Sequence, residues 1–111
     1  MKEQKMKEYI DNYGGDEPNL VGARATVYGF AYLKASAAVV LISPKKIIMI
    51  GGREVQTIDV ADLKEIKVNV VLFAADIQLI FDDDTKIKLN IKKMGGPTQR
   101  EAIDMFVGMK R

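Results

Sequence analysis

Residues 41–52 read LISPKKIIMIGG. Two apolar runs, "AAVVLI" at 37–42 and "IIMI" at 47–50, are parted by Ser43-Pro44-Lys45-Lys46 and stopped by Gly51-Gly52. Runs so short and so continuous belong to strands covered on both faces. The break is polar, and its proline suits the second position of a turn. The pattern therefore predicts a hairpin, and the glycine pair predicts a second tight turn into "REVQTIDV" at 53–60. Val55 and Ile58 lie three apart there, so either a bulge intervenes or the strand ends near Thr57.

Working toward the C-terminus, alternation becomes clean. Ile66, Val68, Val70 and Leu72 alternate with Glu65, Lys67, Asn69 and Val71. Ile77, Leu79 and Phe81 follow, then Ile87, Leu89 and Ile91, each with one wet face as in half-buried antiparallel strands. "DDDT" at 82–85 is the turn joining the last two. The closing segment, "MGGPTQREAIDMFVGMKR", predicts a helix: Pro97 in its first turn, Thr98 with Glu101 as a capping box, and Ile103, Phe106, Val107 and Lys110 on one stripe. Lys110-Arg111 would then sit at the negative end of the helix dipole.

Toward the N-terminus, Val21, Ala23, Ala25 and Val27 alternate with Gly22, Arg24, Thr26 and Tyr28, a first strand. "GFAYLKASAA" at 29–38 suits a strand by its aromatics and a loop by its glycine and alanines. In residues 1–13, Met6, Tyr9, Ile10 and Tyr13 share one helical face, and Gly14-Gly15 stands where a left-handed cap belongs. The expected organisation is an N-terminal amphipathic helix and loop over 1–19, then one domain over 20–111. The sequence leaves open whether that first helix packs on its own sheet or reaches another chain.

Helix, seven strands and helix imply a mainly β (α+β) chain: a strongly bent antiparallel sheet or barrel, with the last helix plugging its open end through Ile103, Phe106 and Val107. At 111 residues the chain is one domain's worth, able to remove roughly two-thirds of its extended surface from water. Cysteine and histidine are both absent. Disulfides, thiolate metal sites, cysteine nucleophiles and Ser-His-Asp arrangements are thereby excluded. No cofactor, metal or small-molecule substrate is expected, and no catalysis. The net charge of +2 does not argue for nucleic acid. No apolar run approaches the ~20 residues that span a bilayer. The N-terminus lacks the apolar core of a signal peptide, so the expected setting is cytoplasmic.

At three places the chain resembles a bacterial pleckstrin-homology-like domain of the group related to GRAM domains. "VVLISPKKIIMI" resembles that family's hydrophobic hairpin with its Thr-Asn-Lys-Arg turn: Ser43 stands for the threonine, Pro44 for the asparagine, Lys46 for the arginine, and Lys45 matches. "IDVADLKEIKV" resembles its strand-turn-strand segment through Ile58, Asp62 and Ile66, and the final helix is the third likeness. The resemblance implies a partly open seven-stranded antiparallel barrel capped by the C-terminal helix, with no enzyme chemistry. Members of the family bind proteins or lipids, and some bacterial ones assemble into homo-oligomers. Relatives that bind phosphoinositides carry several bases at and after the first hairpin loop, where this chain offers only Arg24 and Lys34.

Two surfaces stand out. "VVLFAAD" at 70–76 puts Leu72, Phe73, Ala74 and Ala75 where a hairpin loop should be polar. Either the strands extend around a short turn, or an apolar tip is exposed for a partner. Lys45 and Lys46, with Lys92 and Lys93, are the candidate anionic contacts, and Lys86 and Lys88 extend the second pair along a strand. Four lysines on one anionic membrane would supply about 4 kcal/mol, roughly millimolar binding. The wet faces carry lysine and asparagine with no aromatic among them, which argues against nucleic acid. The expected function is a noncatalytic interaction module acting through protein–protein contact, self-association included. The alternative is peripheral binding to anionic lipids through the basic loops.

Overall fold

The computed structural model describes residues 2–29, 36–96 and 98–110. Helix α1 (Glu3–Tyr13) precedes strands β1 (Val21–Tyr28), β2 (Ser36–Ile42), β3 (Lys46–Gly51) and β4 (Glu54–Asp59). A 3-10 turn (Val60–Asp62) leads to β5 (Leu63–Val70), β6 (Ala74–Phe81), β7 (Lys86–Lys92) and helix α2 (Gln99–Met109). The strands form one antiparallel sheet in the order β4-β3-β2-β1-β7-β6-β5. Strands β4 and β5 remain as its two edges, so the sheet is not closed. A single core nonetheless draws inward-facing residues from all seven strands and from α2. The expected architecture is therefore present: seven antiparallel strands, a short first helix, and a last helix.

The apolar runs that decided the fold are covered on both faces. Ala38, Val40, Ile42, Ile47 and Met49 face the main core. Val39, Leu41, Ile48 and Ile50 face the other way, under Met6, Tyr9 and Ile10 of α1. The first helix thus packs on its own sheet. Gly22 makes room for it: a Cβ there would lie 2.1 Å from Met6 Sδ. The left-handed residue after α1 is Gly15, at φ 59°, while Gly14 caps in a right-handed conformation.

Three local expectations need correction. Strand β4 pairs with β3 in unbroken register through Asp59, so there is neither a bulge nor an early end. Val55 is simply on the outer face, opposite in parity to buried Ile58, and it is 48% exposed. The Thr98–Glu101 box does not form: Thr98 sits at φ −104°, ψ 5° and makes no side-chain cap bond. A capping side chain needs extended backbone to reach the free amides. Val107 is exposed rather than plugged; the buried stripe of α2 is Gln99, Ala102, Ile103 and Phe106. The expectations for Phe30, Tyr32, Lys34, Pro97 and Arg111 lie outside the described residues.

Helix α2 rests on β1, β5 and β7. Strands β1 and β7 pair only over Thr26–Tyr28 and Lys88–Asn90. Beyond that point they part, and the buried carboxamide of Gln99 spans the gap. Its Nε2 donates to the carbonyls of Arg24 (3.0 Å) and Lys92 (2.9 Å), and its Oε1 accepts from the Arg24 amide (2.7 Å). A glutamine amide carries the same donor and acceptor types as a peptide group, so it can replace missing ladder bonds.

Candidate functional site: the tip of the β5–β6 hairpin

Two hairpins of the same half-sheet turn by different means. Between β6 and β7, Asp84 takes φ 66°, and the Asp83 carboxylate accepts bonds from the Thr85 hydroxyl (2.6 Å) and amide (3.0 Å). Those bonds favour the ionised form and hold the Asp83 carboxyl below the usual aspartate range. This is turn chemistry in the ordinary sense. Between β5 and β6 there is none. Val70 is the register partner of Ala75, and the Val71 amide donates to the Ala74 carbonyl at 2.9 Å. Leu72 and Phe73 hold the bend, and neither adopts positive φ.

Both readings of "VVLFAAD" contribute. The strands do extend, so Ala74 and Ala75 belong to β6, and Ala75 is buried. The tip is nevertheless apolar and open: Leu72 is 75% exposed and Phe73 72%. Val70 and Val71 are also exposed, because β5 runs past the end of the core. The Lys93 amide donates to the Phe73 carbonyl at 2.9 Å, and Met94, next in the chain, is 75% exposed and lines a cleft with Arg24, Thr26 and Gln99. Met94 escaped the sequence reading. Its one signal was an apolar residue stranded between Lys93 and Gly95-Gly96, just past the end of a strand.

The basic residues divide. Lys92 is the register partner of Ala74, so Lys92 and Lys93 flank the apolar tip. Lys45 and Lys46 belong to another surface, a shallow cleft they share with Glu17, Asp59 and Asp62. Carboxylates there offset the lysine charge. Ser43 organises that turn from a fully buried position. Its Oγ accepts from the amides of Lys45 (3.2 Å) and Lys46 (3.0 Å) and donates to Glu17 Oε1 (2.8 Å). The four lysines are thus two unlike sites.

The outer face of β7 is less plain than the sequence suggested. Lys86 and Lys88 are exposed on it, but Tyr28 of β1 is the register partner of Lys88 and is 43% exposed. The wet face therefore has an aromatic neighbour, which only the β1–β7 pairing reveals.

No family model and no curated protein matches the chain. Among solved structures it is similar to the C-terminal domain of an unknown protein from Leishmania infantum, at 16% identity and a TM-score of 0.57. That likeness covers 96% of this chain and 94% of the other, and it is a likeness of fold. No helix among the described residues is long and apolar enough to cross a membrane.

Proposed function

We propose that the chain is a noncatalytic interaction module of pleckstrin-homology-like type, working through contact of the β5–β6 tip with another protein. The unclosed seven-stranded sheet with a helix at its mouth supports the type. The observation that carries the contact is the exposure of Leu72 and Phe73 where no turn requires them. Burying these two side chains would contribute about 1.5–3 kcal/mol each. That is the scale of an interface hot spot. With neither histidine nor cysteine in the chain, acid–base or nucleophilic chemistry would fall to carboxylates, hydroxyls and lysines.

A photo-crosslinker placed at position 73 tests the contact in cells. The expected outcome is a discrete protein adduct that Leu72→Ser removes. Labelling no different from that of a crosslinker at exposed Glu101 would contradict it.

A second reading is favoured by Lys92 and Lys93 beside the tip. On an anionic bilayer the two lysines would add about 2 kcal/mol. Insertion of Leu72 and Phe73 would add about 3–6 kcal/mol more. The total, about 5–8 kcal/mol, spans roughly 0.2 mM to micromolar binding. Cosedimentation with phosphatidylserine vesicles at low salt decides it, since charge attraction is least screened there. Binding that Phe73→Ser abolishes supports the bilayer; none at low salt removes it.

A further inference from the structure

The two open edges of the sheet are not alike. Edge strands are templates for pairing with another chain, and proteins blunt them with lysines, prolines or bulges. Strand β5 is blunted: its register shifts between Leu63 and Glu65, Lys67 stands on it, and Lys64 is held by Asp84 at 2.7 Å. Strand β4 is less guarded, its only charges being Glu54 and Asp59 at its two ends. Its residues pair with β3 in unbroken register, no lysine or proline occurs in it, and no described strand pairs with its other side.

The backbone groups it offers can be identified. The Val60 amide donates to the Lys45 carbonyl at 2.9 Å, one step beyond the Lys46–Asp59 pair. Hydrogen-bonded pairs alternate along an antiparallel ladder. Ile58, Gln56 and Glu54 therefore bond to β3, while Val55, Thr57 and Asp59 turn their amides and carbonyls to the open side.

We propose that β4 pairs with β4 of a second copy of this chain, antiparallel about a two-fold axis at Gln56. The inference gives self-association a surface of its own, away from the β5–β6 tip, and rests on reading the chain as a module that works through protein contact. Inner residues must meet inner residues, so only registers that pair odd positions with odd are allowed. Among them, the one centred on Gln56 sets Val55 opposite Thr57 and brings Arg53, in the turn just before β4, toward Asp59. By symmetry each pairing occurs twice. Arg53 and Asp59 are exposed and neither forms an ion pair among the described residues, although Asp59 shares a cleft with Lys45 and Lys46. Registers shifted by two positions either way leave both charges without an opposite. The tip suits a second copy poorly, since a two-fold there would bring Lys92 and Lys93 of both chains together.

Sedimentation equilibrium up to about millimolar concentration tests the proposal. The expected species is a dimer. Thr57→Pro removes an outward amide at an edge position that tolerates proline and should yield a folded monomer. Arg53→Glu, a surface change that leaves the fold alone, should weaken the dimer by about tenfold. Arg53→Glu with Asp59→Arg should restore it. A strict monomer, or a dimer indifferent to Thr57→Pro and to Arg53→Glu, overturns β4 pairing and leaves the tip contact untouched. A dimer lost only in Phe73→Ser also overturns it, and assigns self-association to the tip.

Discussion

Gln99 is the only described residue whose buried side chain bonds two strands at once through their backbones. Its replacement by leucine removes three bonds, those to the Arg24 amide, the Arg24 carbonyl and the Lys92 carbonyl, at a partly buried place. Each group left without its partner costs about 1–3 kcal/mol. We expect Gln99→Leu to lower stability by about 2–4 kcal/mol, read as a shift in the urea midpoint. In the sequence this residue is only a polar position in the first turn of a helix. Nothing in its spacing reveals that the strand just before it and one far away in the chain will part beside it. Ser43 was equally opaque: the turn was legible, but the burial of its hydroxyl depends on Glu17, brought in from another loop. At Asp83 the residue and its chemistry were both visible. The ionised carboxylate is the bonded form, so its contribution is present above the ordinary aspartate range and is lost as pH falls through the lowered value. Thr85→Ala should move the Asp83 titration midpoint, followed by NMR, back up toward that ordinary range.

Among the elements, α1 and α2 are held by opposite means. Phe106 of α2 is fully buried in the main core. Phe106→Ala should cost about 3–5 kcal/mol, while Val107→Ala on the exposed side should change stability by less than about 0.5 kcal/mol. Helix α1 is held by one buried side chain, Met6, seated over a glycine. Gly22→Val should lift it away. Hydrogen exchange would then speed up across 3–13 while β6 and β7 keep their protection; equal loss everywhere would mean that α1 is integral to the sheet. The two-sided cover over β2 and β3 was legible from their uninterrupted apolar runs. The identity of the cover was not, because an amphipathic helix advertises an apolar face without naming what it meets. Val55 misled for a related reason. An apolar residue on an edge strand's outer face is tolerated beside Ile50, and spacing alone reads it as a bulge.

For the molecule as a whole, element order and strand alternation were legible, since both are local. The joining of β1 to β7 and the separation of β4 from β5 are not local, and no periodicity encodes them. The same gap hid the site. Leu72 and Phe73 were visible as apolar residues in a turn, but their union with Lys92 and Lys93 depends on β7 lying beside β6. The tip stands clear of the core, so Phe73→Ser should leave the urea midpoint unchanged within about 0.5 kcal/mol while abolishing whatever contact the tip makes. The seam closed by Gln99 has a kinetic consequence. Arg24 and Gln99 are 75 positions apart, so the seam between β1 and β7 is completed only once α2 has been made. A nascent chain in which α2 has yet to emerge would carry β1 with a raw margin, and would call on chaperones in a way the folded domain does not.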